Sequence, residues 1–185
     1  MQRLKSVGSL KFLAVQAYLE TGEKSSRLSI SMITTTPELF HALATTPVLT
    51  GTNLPAQKLI AGEGRVCEFA AGEWIVREGE EGHAFFILVG GEVEVVKRSG
   101  TPEELILCTL KQGEFFGEMC ILAPMKRAAS IRASQPAKVI EIKAATLYHL
   151  YQKMPEQYSI VLLNLARDLA RRLFRIDDAF AARAI

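Results

Sequence analysis

Cysteine and histidine are scarce in this chain, and their placement excludes several chemistries. The cysteines are Cys67, Cys108 and Cys120, an odd number with no Cys-x-x-Cys pair. A disulfide framework or a structural zinc site would need such pairing. Cys67 and Cys108 lie inside apolar runs and are expected as buried, reduced thiols, which suits a cytoplasmic protein. His41, His83 and His149 are scattered, with no His-x-His pair, so no metal is expected. Excess charge is also missing. Lys and Arg number 22 against 20 Asp and Glu, a net charge of +2, too small to imply a nucleic-acid partner. No run approaches the ~18 apolar residues of a membrane span. No serine-histidine-acid set or paired carboxylates can be placed together, so catalysis is not expected.

What is present is the balance of a packed core: 49% apolar and 23% charged residues in a chain of 185, enough for one domain with appendages. Near the start, Arg3 and Lys5 precede an apolar stretch, but Lys11 interrupts it where a signal core should be continuous. Leu4, Val7, Leu10, Ala14 and Tyr18 instead recur at helical spacing. Residues 21–26 are polar and read as a linker. Residues 1–36 thus form a helical appendage and linker. Two short helical patterns follow, each with a cap and a proline near its start: Thr36 before Pro37, and Asn53 before Pro55.

From residue 65 to 143 the texture changes to short β-type runs punctuated by glycine. The expected strands are 65–69, 74–77, 84–89, 92–98, 104–110, 129–134 and 137–143. Glu92-Val93-Glu94-Val95 alternates, which predicts one wet and one buried face. Many short strands at close spacing indicate an antiparallel jelly roll. Trp74 is read as a core residue of its strand, and His83 as solvated. Beyond Lys143 the period is helical again. A short helix ends near Pro155, and a long one from Glu156 to about Arg183 carries Leu162, Leu165, Leu169, Leu173, Ile176 and Phe180 along one face. Arg167, Arg171, Arg172 and Arg175 share that helix with Asp168, Asp177 and Asp178, a mixture that reads as a solvated face.

The stretch with chemistry is Phe116-Gly117-Glu118, eight residues, then Arg127-Ala128-Ala129-Ser130-Ile131. Gly117 permits close backbone approach. A short helix from Glu118 to Leu122 would aim its first N–H groups at an anion, and Arg127 offers a forked guanidinium. Glu118 would repel a phosphate and is better explained as an acceptor for a sugar hydroxyl.

With these motifs the chain resembles the cyclic-nucleotide-binding domain family, which includes the catabolite activator protein and the protein kinase A regulatory subunits. Phe69-Ala70-Ala71-Gly72-Glu73-Trp74-Ile75 looks like the family's first glycine turn. Arg77-Glu78-Gly79-Glu80 and Phe85-Phe86-Ile87-Leu88-Val89-Gly90-Gly91 look like its central hairpins, and 117–130 like its phosphate-binding cassette. The resemblance implies an α+β fold: an eight-stranded antiparallel jelly-roll barrel at residues 37–151, with flanking N-terminal helices, a short phosphate-binding helix and a C-terminal helix at 152–185.

The resemblance also implies a ligand site of Gly117, Glu118, Met119, Cys120, Arg127, Ala128 and Ala129. Glu118 would accept from the ribose 2′-hydroxyl beside the Gly117 backbone. Arg127 would pair with the cyclic phosphate, and the Cys120 and Ala128 amides would donate to it. Ala128, where cGMP-preferring relatives often have threonine, tilts the ligand toward cAMP and leaves cGMP open. Lys126 departs from the proline usual in kinase subunits.

In such relatives the last helix dimerises or closes over the base, and its stripe suits both. The chain stops at Ile185 without a helix-turn-helix, so no direct DNA binding and no membrane association are expected. The expected output is contact with a protein partner or a second copy of the chain. A ligand-free scaffold and a DNA-associated regulator are the alternatives.

Overall fold

The computed structural model describes residues 31–32, 37–123 and 125–183. The helix expected over residues 4–18, its linker and the Thr36 cap lie outside these residues. The described residues open with β1 (Ser31–Met32), α1 (Pro37–Ala44), a 3-10 turn at Pro47–Leu49 and α2 (Leu54–Glu63). Asn53 caps α2 as its position predicts, its side chain accepting from the Ala56 amide at 3.0 Å.

The sheet region follows as β2 (Arg65–Phe69), β3 (Trp74–Val76), β4 (Ala84–Gly90), β5 (Glu92–Lys97), β6 (Leu105–Lys111) and β7 (Phe115–Phe116). Then come α3 (Met119–Leu122), β8 (Ser130–Ala133), β9 (Ala137–Lys143), α4 (Ala144–Lys153) and α5 (Pro155–Arg183). The described strands form two antiparallel sheets, β1-β2-β9-β4-β7 and β3-β8-β5-β6. The expected closed eight-stranded barrel is thus corrected to two open sheets, of five and four strands. The ladders stop short because β3 has three residues and β7 only two. At Gly113–Glu114 the chain changes layers, clipped to β4 by the Gly113 amide to Leu88 carbonyl bond (2.8 Å) and its reciprocal from Leu88 to Glu114 (2.9 Å).

The unbroken apolar run of β4 has a physical reason, since both of its faces are buried. Phe85 and Ile87 face a core shared with Leu43, Leu49, Ile60, Leu147, Leu150, Val161 and Leu165 of the helical layer. Phe86 and Leu88 face the inside of the sandwich, with Val93, Phe116, Ile131 and Val139. In β5 the register against β6 shifts between Val95 and Val96. That shift rephases the alternation, so Val93 and Val96 are the residues fully buried.

Three placements depart from expectation. Cys108 is exposed rather than buried, because β6 is the outer strand of its sheet and only Leu110 turns to the core. Trp74 is half-buried, with the guanidiniums of Arg77 and Arg132 at 4.8 and 5.1 Å from its ring centre. His83 is half-buried, and its carbonyl accepts from the Ala144 amide at 2.8 Å.

Candidate ligand-binding site

The segment 117–130 lies at the edge of the five-stranded sheet, where β7 pairs with β4 and Phe116 stacks on Phe86 at 5.2 Å. The chain leaves β7 through Gly117 at φ +82°, the left-handed region that side chains rarely adopt. Glu118 then opens α3, its carbonyl receiving the Ile121 amide at 2.9 Å. The amides ahead of that bond are not consumed by the helix itself. Cys120 of α3 is buried, and Met119 is exposed.

Glu118 and Arg127 are both buried, at 2% and 7% exposure. Charged side chains reach such burial only when paired or otherwise satisfied. Arg127 is fixed through its backbone: its amide donates to the Glu80 carbonyl (2.8 Å), and its carbonyl accepts from the Gly79 amide (2.9 Å). Its side chain turns inward, the guanidinium over the Phe86 ring at 5.6 Å and Nη1 donating to the Gly117 carbonyl at 3.0 Å. Among the described residues no carboxylate lies within ion-pair distance of it. The structure therefore brings Arg127 and Gly117 together but does not join Glu118 directly to Arg127.

Glu118 is held instead by Arg172 of α5, whose Nη1 lies 3.3 Å from the carboxylate. Arg172 also donates to the Phe115 carbonyl at 2.6 Å, pairs through Nε with Asp168 at 2.6 Å, and sits over the Phe115 ring at 5.3 Å. Burial pushes the Glu118 carboxyl above its ordinary value, and the Arg172 charge opposes that rise. The solvated-face reading of the α5 arginines is thus corrected at Arg172, which the sequence reasoning missed as a site residue. Its available signal was the Asp168/Arg172 pair at i,i+4, a spacing that holds a guanidinium against the helix.

The far end of the segment is tethered separately. The Ala128 carbonyl accepts from Lys97 Nζ at 2.7 Å, and Lys97 pairs with Glu78. That bond, then the Arg98 amide, hold the Glu78 carboxyl below its ordinary value. Glu78 in turn donates its amide to the Ser130 hydroxyl at 2.9 Å. Ala128 is exposed and Ala129 half-buried. Among the described residues no group of three His, Cys, Asp or Glu side chains is placed to hold a metal ion. None of their helices is long and apolar enough to cross a membrane.

The sequence and the fold that carry this site have counterparts among known proteins. The pattern that defines the family described as "Cyclic nucleotide-binding domain" matches residues 66–154. Over 75 residues the chain is 40% identical to a cAMP-dependent protein kinase regulatory subunit of Emericella nidulans, covering 40% of this chain and 18% of that protein. Over 86 residues it is 40% identical to the human cGMP-dependent protein kinase 2, covering 45% of this chain and 11% of that protein. The chain thus spans less than a fifth of the length of either relative. A cyclic nucleotide-binding domain from Methylobacillus flagellatus KT has the same fold at 21% identity, with a TM-score of 0.69 over 79% of this chain and 84% of that one. Residues 66–154 thus match the cyclic nucleotide-binding domain family in sequence, and the fold around them is that of a cyclic nucleotide-binding domain.

Proposed function

We propose that the chain is a receptor for a cyclic nucleotide, cAMP before cGMP, and that occupancy is reported through α5 rather than through a reaction. The observation that carries this reading is Arg127: a buried guanidinium beside Gly117 with no carboxylate in ion-pair range among the described residues. A cyclic phosphate supplies the anion that such a cation calls for. Glu118 accepts from the ribose 2′-hydroxyl, and the Cys120 and Ala128 amides donate to the phosphate. The relatives are named for cAMP in one case and cGMP in another, so the choice of base rests on Ala128.

Arg172 supports the readout through α5. It ties that helix to Glu118 and to the Phe115 carbonyl, so a ligand engaging Glu118 acts on a residue the helix already holds. A ligand shifts the position of α5 only by binding one arrangement more tightly. The last turns of α5 supply the surface to be reported: Leu173, Phe174, Ile176 and Phe180 are all exposed, and they suit a protein partner or a second copy of the chain. The free thiols of Cys67, Cys108 and Cys120 support a reducing compartment, the cytoplasm.

Calorimetry with cAMP and cGMP on the wild type and on Arg127→Ala tests the reading. Removing one partner of a desolvated charge pair costs roughly 3–5 kcal/mol, so affinity is expected to fall at least ~100-fold. Unchanged affinity in the variant would sink the assignment. A wild type that binds neither nucleotide would favour a ligand-free scaffold.

A further inference from the structure

Gly79 and Gly82 belong to one turn, yet different demands act on them. Gly79 has φ +83°, and a Cβ placed there would meet nothing within 4 Å, so backbone conformation alone selects glycine. Gly82 is the reverse. Its φ is not in the left-handed region, so no left-handed backbone selects glycine there. A Cβ there would lie 2.8 Å from both Cζ and Nε of Arg127 and 2.7 Å from Cys120 Sγ. A carbon so close to another carbon, a nitrogen and a sulfur overlaps them, and something must move.

We infer that Gly82 is a positioning residue for Arg127: the missing side chain leaves the slot in which the guanidinium lies. The same loop grips the Arg127 backbone through the Glu80 carbonyl and the Gly79 amide, so Arg127 cannot yield by shifting its main chain. A Cβ at Gly117 would likewise lie 2.6 Å from Nη1. The guanidinium is therefore enclosed by two positions without side chains, Phe86 beneath it and Cys120 beside it. A methyl group at position 82 expels the side chain from this enclosure and breaks the bond to the Gly117 carbonyl. The consequence for ligand affinity rests on the proposed role of Arg127 as the phosphate-binding cation.

A cycle of Gly82→Ala and Arg127→Ala in a Cys120→Ala background tests this, because the thiol is then gone and Arg127 supplies the nearest remaining atoms. Full-length protein is titrated with cAMP, and ligand-free unfolding midpoints are recorded for each variant. Gly82→Ala is expected to weaken binding roughly 10- to 100-fold, the loss of a hydrogen bond to a charged group. It should cause no further loss once Arg127 is alanine. It should also lower the ligand-free midpoint when Arg127 is present, and lower it less or not at all when Arg127 is alanine. Wild-type affinity in Gly82→Ala, or equal losses with and without Arg127, overturns the inference. If no cyclic nucleotide binds at all, the proposed ligand is wrong, and the midpoints still decide whether the slot exists. If Gly82→Ala does not fold, recovery of folding on adding Arg127→Ala supports the slot, and continued failure overturns it.

Discussion

Glu118 carries two opposed influences, and its pH behaviour shows which is stronger. Burial raises its carboxyl above the ordinary 4.5, while Arg172 pulls it back. A carboxyl whose folded value is raised holds its proton more tightly when native. Its contribution to stability is therefore complete below the unfolded value and lost as pH rises through the folded one. Relative to Glu118→Gln, the wild type should gain stability as pH falls from neutrality toward about 4.5. Unfolding midpoints across that range measure it, and a constant difference between the two proteins contradicts the expectation. Arg172→Ala should act more broadly, because it strands Glu118 and Asp168, both buried. A cost of about 2 kcal/mol is expected, below the ~3–5 of a fully desolvated pair because Arg172 is 28% exposed. Denaturant unfolding measures it.

Among the elements, α5 divides by environment. Its first half is part of the core, with Val161 and Leu165 fully buried and Asn164 donating to the carbonyls of Val48 (3.2 Å) and Thr50 (2.8 Å). Its last turns carry Leu173, Ile176 and Phe180 with more than half of each exposed. Local stability follows such burial. Hydrogen exchange should therefore be slow over residues 158–168 and fast beyond 172 in the free protein. Addition of cAMP should change protection around Arg172, and identical protection with and without ligand would count against a readout through this helix.

The whole molecule is tied together by β4, which serves both cores. Phe85 is 1% exposed and packs edge-on to Phe115 at 6.4 Å. Phe115 in turn offers its carbonyl to Arg172, so the core and α5 meet two residues before Gly117. Phe85→Ala should cost about 3–5 kcal/mol in denaturant unfolding, as a large cavity in a packed core does. It should also loosen the 117–130 segment through Phe115. A loss well under 1 kcal/mol would show that the helical layer is not cemented at this point.

Local pattern alone determined much of this. The strand runs, the Asn53 cap, the long last helix and the Gly117/Glu118/Arg127 spacing are properties of neighbouring residues, set by periodicity, capping and the steric freedom of glycine. What local pattern could not determine depends on which distant surfaces meet. The break into two open sheets follows from ladder lengths, and the exposure of Cys108 from the outer position of β6. Arg172 is ambiguous within its own helix, since an arginine with an acid at i−4 suits a solvated face as well as a packed one. Only the packing of Val161 and Leu165 against the sheet layer brings its guanidinium 54 positions back along the chain to Glu118. The Gly82 slot has the same origin: its glycine is needed because Arg127 and Cys120 arrive there from elsewhere in the fold.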